Sequence, residues 1–319
     1  MTMSLRYAMR LCAALGLLSV SHTLTDPDSV TEAKASDLRG HGGPVSALSV
    51  DGDAVLSGSF DTRAIVWDGE NSVARLVLRF HDGNVSATAF LPESGYATAG
   101  QDGRIALWRE DAREPFFTTA EHQGPVVSLS LSPDGQTLAA ASWDGRIQLI
   151  DLETRAVSLI DAHQGMVTGI AYLPDGRLAS VGSDLRLALW RDAVLDRAIG
   201  LPESPNGVTS AGEGLAVIFA DGALRLFSPE RSGEAALLGE RLLSERPLIT
   251  LTARDDSLAV AAVTGEVWLL DATDLATRNA ILPGQGAIWS LAVTGSDLLT
   301  GGADGLIRRW DLATGEPRG

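Results

Sequence analysis

Apolar and polar positions trade places every residue or two along most of the chain, in runs such as Val45-Ser-Ala-Leu48-Ser-Val50. That alternation predicts half-buried β-strands, and nothing in the repeating part has the 3.6-residue period of a helix. Hairpin signals break the runs, explicitly in Ser132-Pro-Asp-Gly135 and Leu173-Pro-Asp-Gly176, where glycine supplies the positive φ of a tight turn. A second strand follows, as in Leu178-Ala-Ser-Val-Gly182, then a second turn in which Gly comes after Asp102, Asp144, Asp221 and Asp304. From that turn a third strand runs into a large apolar residue, as in Arg104-Ile-Ala-Leu-Trp108.

The unit recurs. Its second turn falls at Asp61, Asp102, Asp144, Asp184, Asp221, Thr264 and Asp304, with spacings of 41, 42, 40, 37, 43 and 40 residues. Six residues on stand Trp67, Trp108, Ile150, Trp190, Phe227, Leu270 and Trp310, and ahead of the first four turns stand His41, His81, His122 and His163. A period near forty residues is the length of one four-stranded propeller blade. Short strands without helices bury their faces only against neighbouring copies, which predicts a radial all-β array.

Gly40-His41, Asp61 and Trp67-Asp68, with Trp310-Asp311 at the far end, resemble the units of WD-repeat (WD40) propellers. The resemblance runs from about residue 30 to 313. Units one to four match well, seven matches except at His, and five and six are degenerate. It implies a seven-bladed WD40-type β-propeller over 25–319, with repeats at about 38–68, 80–109, 121–151, 162–191, 201–228, 243–271 and 282–311. After Asp311 only Leu312 to Gly319 remain, too few for a turn and an outermost strand. An N-terminal strand over about 29–38 is therefore expected to complete the last blade and remove an open edge.

Charge and composition narrow the function. Lys+Arg 25 against Asp+Glu 41 gives −16, the wrong sign for attracting nucleic acid or anionic lipid. Lys34 is the single lysine, an arginine bias expected of a GC-rich bacterial genome. Arg6 and Arg10, the apolar run Leu11 to Val20, and the small or polar Ser19, Ser21 and Thr23 follow the order of a cleavable secretory signal, expected over residues 1–24. The run is too short for a stable membrane anchor, so the expected location is periplasmic or secreted. Cys12, the sole cysteine, lies inside that segment, so the mature chain is expected to lack disulfides, thiol nucleophiles and c-type haem attachment.

Four histidines and six turn aspartates suggest a metal or catalytic cluster at first sight, yet they recur once per blade and cannot share one site. The resemblance implies buried hydrogen-bond networks instead: His41, Ser57, Asp61 and Trp67; His81, Thr98, Asp102 and Trp108; His163, Ser180, Asp184 and Trp190. Blade three keeps His122 and Asp144 but has Ala140 and Ile150, a truncated set, while Asp304 and Trp310 serve blade seven. His22 falls in the signal segment. There is no G-x-S-x-G elbow, phosphate loop, H-E-x-x-H or complete EF-hand loop. Asp51 with Asp53, Asp255 with Asp256, and Ala211-Gly-Glu-Gly214 read as hairpins. No catalytic residue, metal or cofactor is expected.

By register, the family's top rim is implied at Phe60, Gln101, Trp143, Ser183, Ala220, Val263 and Ala303, and at Ser46, Ser86, Val127, Thr168, Thr209, Ile249 and Trp289. Phe60, Trp143 and Trp289 stand out, since large aromatics at a rim are typical interface anchors. Trp268, two residues before Leu270, is expected to pack between blades. The expected function is a non-catalytic, monomeric protein-binding scaffold of the bacterial envelope acting through this rim. The alternatives are a channel-mouth enzyme or small-ligand receptor, lactonase-like or quinoprotein-like, and a partner of a c-type cytochrome system.

Overall fold

The computed structural model describes residues 37–318, apart from Ser94 and Glu121. The segment 1–24, with Cys12 and His22, and the expected closing strand as far as residue 36 lie outside the described residues. Seven four-stranded antiparallel sheets follow one another. In the first, Val45–Asp51, Ala54–Ser59, Arg63–Asp68 and Val73–Arg79 lie side by side from inside to outside. The one-turn 3₁₀ helix Gly233–Ala236 is the only helical element among the described residues.

The ring closes through its innermost strands. Val45–Asp51 lies against Val85–Leu91 of the next blade and against Ile288–Thr294 of the last. Each innermost strand carries a register shift near its start, between Val45 and Ala47 in blade one and Ile288 and Ser290 in blade seven. The other five shifts fall at equivalent places. A β-bulge of this kind adds one residue and re-aims its side chain.

Burial happens at the seven boundaries between blades, each with its own apolar cluster. Trp67, Trp108, Ile150, Trp190, Phe227, Leu270 and Trp310 belong to one boundary each, packed on the preceding blade. A fully buried large apolar side chain contributes on the order of 1.5–3 kcal/mol, so this position is one of several that stabilise each boundary. Close approach adds a constraint at Gly58, where a Cβ would lie 2.6 Å from the Val85 carbonyl oxygen of the next blade. Trp268 packs half-buried at the boundary of blades five and six.

Closure differs from expectation in one respect. Leu38–Arg39 does pair with the third strand of blade seven, Leu38 opposite Ile307 and Arg39 opposite Leu306. The C-terminal residues, expected to be too few, also reach that strand: Pro317 bridges Trp310, and the Arg318 N–H donates to the Arg309 carbonyl at 2.9 Å. Asp311 makes this possible, because its Oδ1 accepts from the Ala313 and Thr314 N–H groups and the Thr314 hydroxyl, while Gly315 takes a φ of 71°. Asp151 with Thr154 and Asp271 with Thr273 form similar turns into the outer strands of blades three and six. The outer edge of blade seven is thus covered from both ends of the described chain.

Leu38 is 3% exposed and packs with Val45, Ile65, Trp67 and Ile307. Leu38→Ala is expected to cost about 2–4 kcal/mol of unfolding free energy by urea titration. An unchanged urea midpoint would reject closure through this residue.

Candidate functional site

Within a complete blade the polar side chains form a directed chain of hydrogen bonds. In blade one, His41 Nδ1 faces Asp61 Oδ2 at 3.1 Å, so the carboxylate fixes the ring hydrogen on Nδ1 and leaves Nε2 an acceptor. Ser57 Oγ lies 2.7 Å from Nε2 and accepts the Trp67 indole N–H at 2.7 Å. Each donor in that run has an acceptor. Blade two repeats it through His81, Thr98, Asp102 and Trp108, and blade four through His163, Ser180, Asp184 and Trp190. Each aspartate also accepts from the backbone N–H two residues on or from the chain crossing beside the histidine, as with Arg63 and Gly42 on Asp61.

Blade seven contains a network that sequence reasoning missed. Gln285 Nε2 donates to Asp304 Oδ1 at 3.3 Å, Gln285 Oε1 accepts from the Thr300 hydroxyl, and Thr300 Oγ1 accepts from Trp310 Nε1 at 2.9 Å. An amide offers a donor and an acceptor as a neutral imidazole does, so Gln285 stands in for His. It sits three residues before Ile288, whereas His41 sits four before Val45, and this offset hid it from the repeat register. The fourth histidine, His122, reaches Asp144 Oδ2 at 3.0 Å and stops there. Among the described residues, no group of three His, Cys, Asp or Glu side chains is placed to hold a metal ion.

These networks have a protonation signature. Burial pushes the His41 and His163 imidazoles below their ordinary range, against the opposing pull of Asp61 and Asp184. Burial works to raise the Asp61, Asp102 and Asp144 carboxyls, but hydrogen bonds from the crossing backbone and the histidines outweigh it and hold all three below the usual range.

The first set of implied rim positions shares one backbone contact. The N–H groups of Phe60, Gln101, Trp143, Ser183, Ala220, Val263 and Ala303 each donate to a carbonyl at or just before the start of their innermost strand. Phe60 is 43% and Trp143 38% exposed, and Gln101 is exposed beside blade two's turn. Phe60 and Trp289 meet across the seven-to-one boundary, ring centroids 6.0 Å apart and tilted by 51°. Trp143 is in ring contact with neither. The three aromatics therefore make one pair and one separate post.

The second set needs correction. Ser46, Ser86 and Thr168 occupy the bulges, which turn their hydroxyls onto the next blade: Ser46 onto the Val85 carbonyl at 2.7 Å, Ser86 onto that of Val126, Thr168 onto that of Pro205 at 2.8 Å. They clasp neighbouring blades. In blade five the bulge falls at Asn206, whose amide donates to the Leu248 carbonyl at 2.8 Å, and Thr209 lies three residues further on. Asn206 is fifteen residues before Asp221, as Ser46 is before Asp61, so the short fourth-to-fifth interval is lost ahead of the innermost strand. Val127, Ile249 and Trp289 are the apolar bulge residues.

Between the innermost strands runs a cavity of about 490 Å³. Among the described residues its lining is small, apolar or hydroxylic, with Trp289 and Tyr172 its aromatics, and includes no charged side chain.

The family model described as "WD domain, G-beta repeat" matches residues 33–68, 73–109, 113–151, 155–191 and 276–311, more than half of the chain. The chain belongs to the WD40-repeat family. The matched WD40 segments end at blades one to four and seven, the blades whose turn aspartate meets a His or Gln side chain. The chain is 30% identical over 148 residues to the WD repeat-containing protein SL1-17 of Schistosoma mansoni, covering 44% of this chain and 48% of that one. Mouse striatin is 25% identical over 288 residues, covering 75% and 36%. The mouse guanine nucleotide-binding protein subunit beta-like protein 1 is 25% identical over 141 residues, covering 43% of each. The chain spans less than half the length of these relatives, and all three are eukaryotic.

For the WD40 networks the pH dependence has a definite sign. A group whose pKa is depressed on folding binds fewer protons in the folded state, so stability falls as pH drops past the unfolded value. The urea midpoint is expected to begin falling near the ordinary histidine value of 6.5, through His41 and His163, and to fall again below the ordinary aspartate value of 3.8. A midpoint constant between about pH 7 and 5 would reject neutral buried histidines.

Proposed function

We propose that the protein is a non-catalytic scaffold that holds a protein partner on its top rim, with the Phe60–Trp289 pair as principal anchor and Trp143 as a second post. The pair carries the proposal. Two aromatic rings at the mouth of the channel present large, rigid, partly desolvated area at low entropic cost, which is the composition of interface hot spots. An uncharged channel lining offers no carboxylate, imidazole or guanidinium to a reacting group, which favours the scaffold over a channel-mouth enzyme. The relatives support a binding role in general terms, one of them being named as like a subunit of a larger assembly.

Export is the second part of the proposal, and residues 1–24 carry it: two arginines, a ten-residue apolar run and small residues after it. A bacterial envelope as its destination rests on that segment and on the arginine bias alone.

Capture of a partner from native extract by wild type is expected to fall about tenfold or more in the Phe60→Ala, Trp143→Ala, Trp289→Ala triple variant. Equal recovery by both would reject the rim. Intact-mass analysis of the full chain after fractionation is expected to find it outside the cytosol, shortened to begin near residue 25. A cytosolic chain that retains residues 1–24 would reject export.

A further inference from the structure

Blade three interrupts its hydrogen-bond chain part-way. Its second strand has Ala140 where blades one, two and four have Ser57, Thr98 and Ser180, and its third strand has Ile150 where they have tryptophan. His122 still donates from Nδ1 to Asp144 Oδ2 at 3.0 Å, so the neutral ring keeps a lone pair on Nε2. That atom is buried and has no hydrogen-bond partner among the described residues.

The polarity lost at position 140 reappears across the sheet. Gln148 pairs directly with Ala140, at the place filled by Ile65, Ala106 and Ala188 in blades one, two and four. It is a fully buried amide, 0% exposed. Its Nε2 donates to Thr119 Oγ1 at 2.7 Å, which orients the amide and leaves Oε1 as a second buried acceptor without a partner. In the three complete blades the histidine Nε2 reaches the residue equivalent to 140, and the Cβ atoms of directly paired residues lie about 4.5–5.5 Å apart. Both acceptors therefore border the space beside Ala140. Neither can satisfy the other, because neither carries a hydrogen.

We infer that blade three holds one internal water molecule there, donating one hydrogen to His122 Nε2 and the other to Gln148 Oε1. It takes the place of the hydroxyl that links the histidine in the neighbouring blades. The chemistry selects the guest: two neutral acceptors fit a small molecule with two donor hydrogens, and two ligands are too few for a metal ion.

High-resolution crystallography of the full chain tests this. The expected result is a solvent peak within hydrogen-bond distance of both His122 Nε2 and Gln148 Oε1, lost in Ala140→Ser, whose hydroxyl occupies that place. Ala140→Ser is also expected to raise the thermal midpoint by about 1–3 °C. Nitrogen-15 spectra of the wild type are expected to show a neutral His122 protonated on Nδ1 at neutral pH. The inference is overturned by an empty site, by an amide turned so that Gln148 Nε2 donates directly to His122, or by a doubly protonated His122 bonded to Oε1.

Discussion

Everything in this molecule depends on the fact that a four-stranded blade has two apolar faces and no means of hiding either by itself. Each face finds its cover on the neighbouring blade, and the ring is the arrangement in which no face is left over. The large residue at the end of the third strand, tryptophan in four blades and Ile150, Phe227 or Leu270 in the others, fills every boundary. Polar chains in the complete blades serve that packing. Burying the Trp67 indole requires an acceptor for its N–H, Ser57 supplies one, His41 takes the Ser57 hydrogen, and Asp61 takes that of His41. The aspartate ends the run where solvent begins, and its remaining acceptor capacity pins the adjoining backbone.

The period and the number of blades were legible in the sequence because each depends on a residue type that the local geometry demands, while the members of the three complete networks came from the family resemblance. A hairpin needs Asp-Gly, a boundary needs a large apolar group, and a buried indole needs a hydroxyl nearby. Gln285 escaped because an amide and an imidazole are interchangeable as hydrogen-bonding groups while unlike as letters, and because its loop is one residue shorter. The C-terminal cover of blade seven escaped for a related reason: counting residues underestimates how little chain an Asp-initiated turn requires when Gly315 can reverse it.

At the rim, register alone was a weaker guide. A β-bulge re-aims one side chain per blade, and a short side chain that can donate a hydrogen bond turns there onto the next blade. Ser46, Ser86, Thr168 and Asn206 can, and each finds a carbonyl on its neighbour. Trp289 has no such use for its position, and Ser290 beside it makes the corresponding bond to the Val45 carbonyl at 3.1 Å. The indole is thereby released toward the mouth of the channel, where Phe60 meets it. The candidate anchor thus exists because blade seven moved its clasp by one residue.

Blades five and six show what happens when the His, Ser and Trp of such a network are removed together. Leu201, Val217 and Phe227 stand near the His, Ser and Trp places in blade five, all buried in one cluster, and in blade six the half-buried Leu243 packs against the buried Val260 and Leu270. Replacing every partner of a buried hydrogen-bonded group by apolar atoms is close to neutral, whereas removing one partner strands the other at about 1–3 kcal/mol. The chain can therefore lose its WD40 signature in two consecutive blades and keep the ring when the His, Ser and Trp go together, while Asp221, kept in blade five, is held by Arg225 at 3.0 Å instead. Blade three is the intermediate case: it dropped the hydroxyl and the indole but kept the histidine, and it alone gained a buried glutamine opposite the gap. The buried amide of Gln148 is intelligible there as polarity placed directly across the sheet from the hydroxyl that Ala140 lacks.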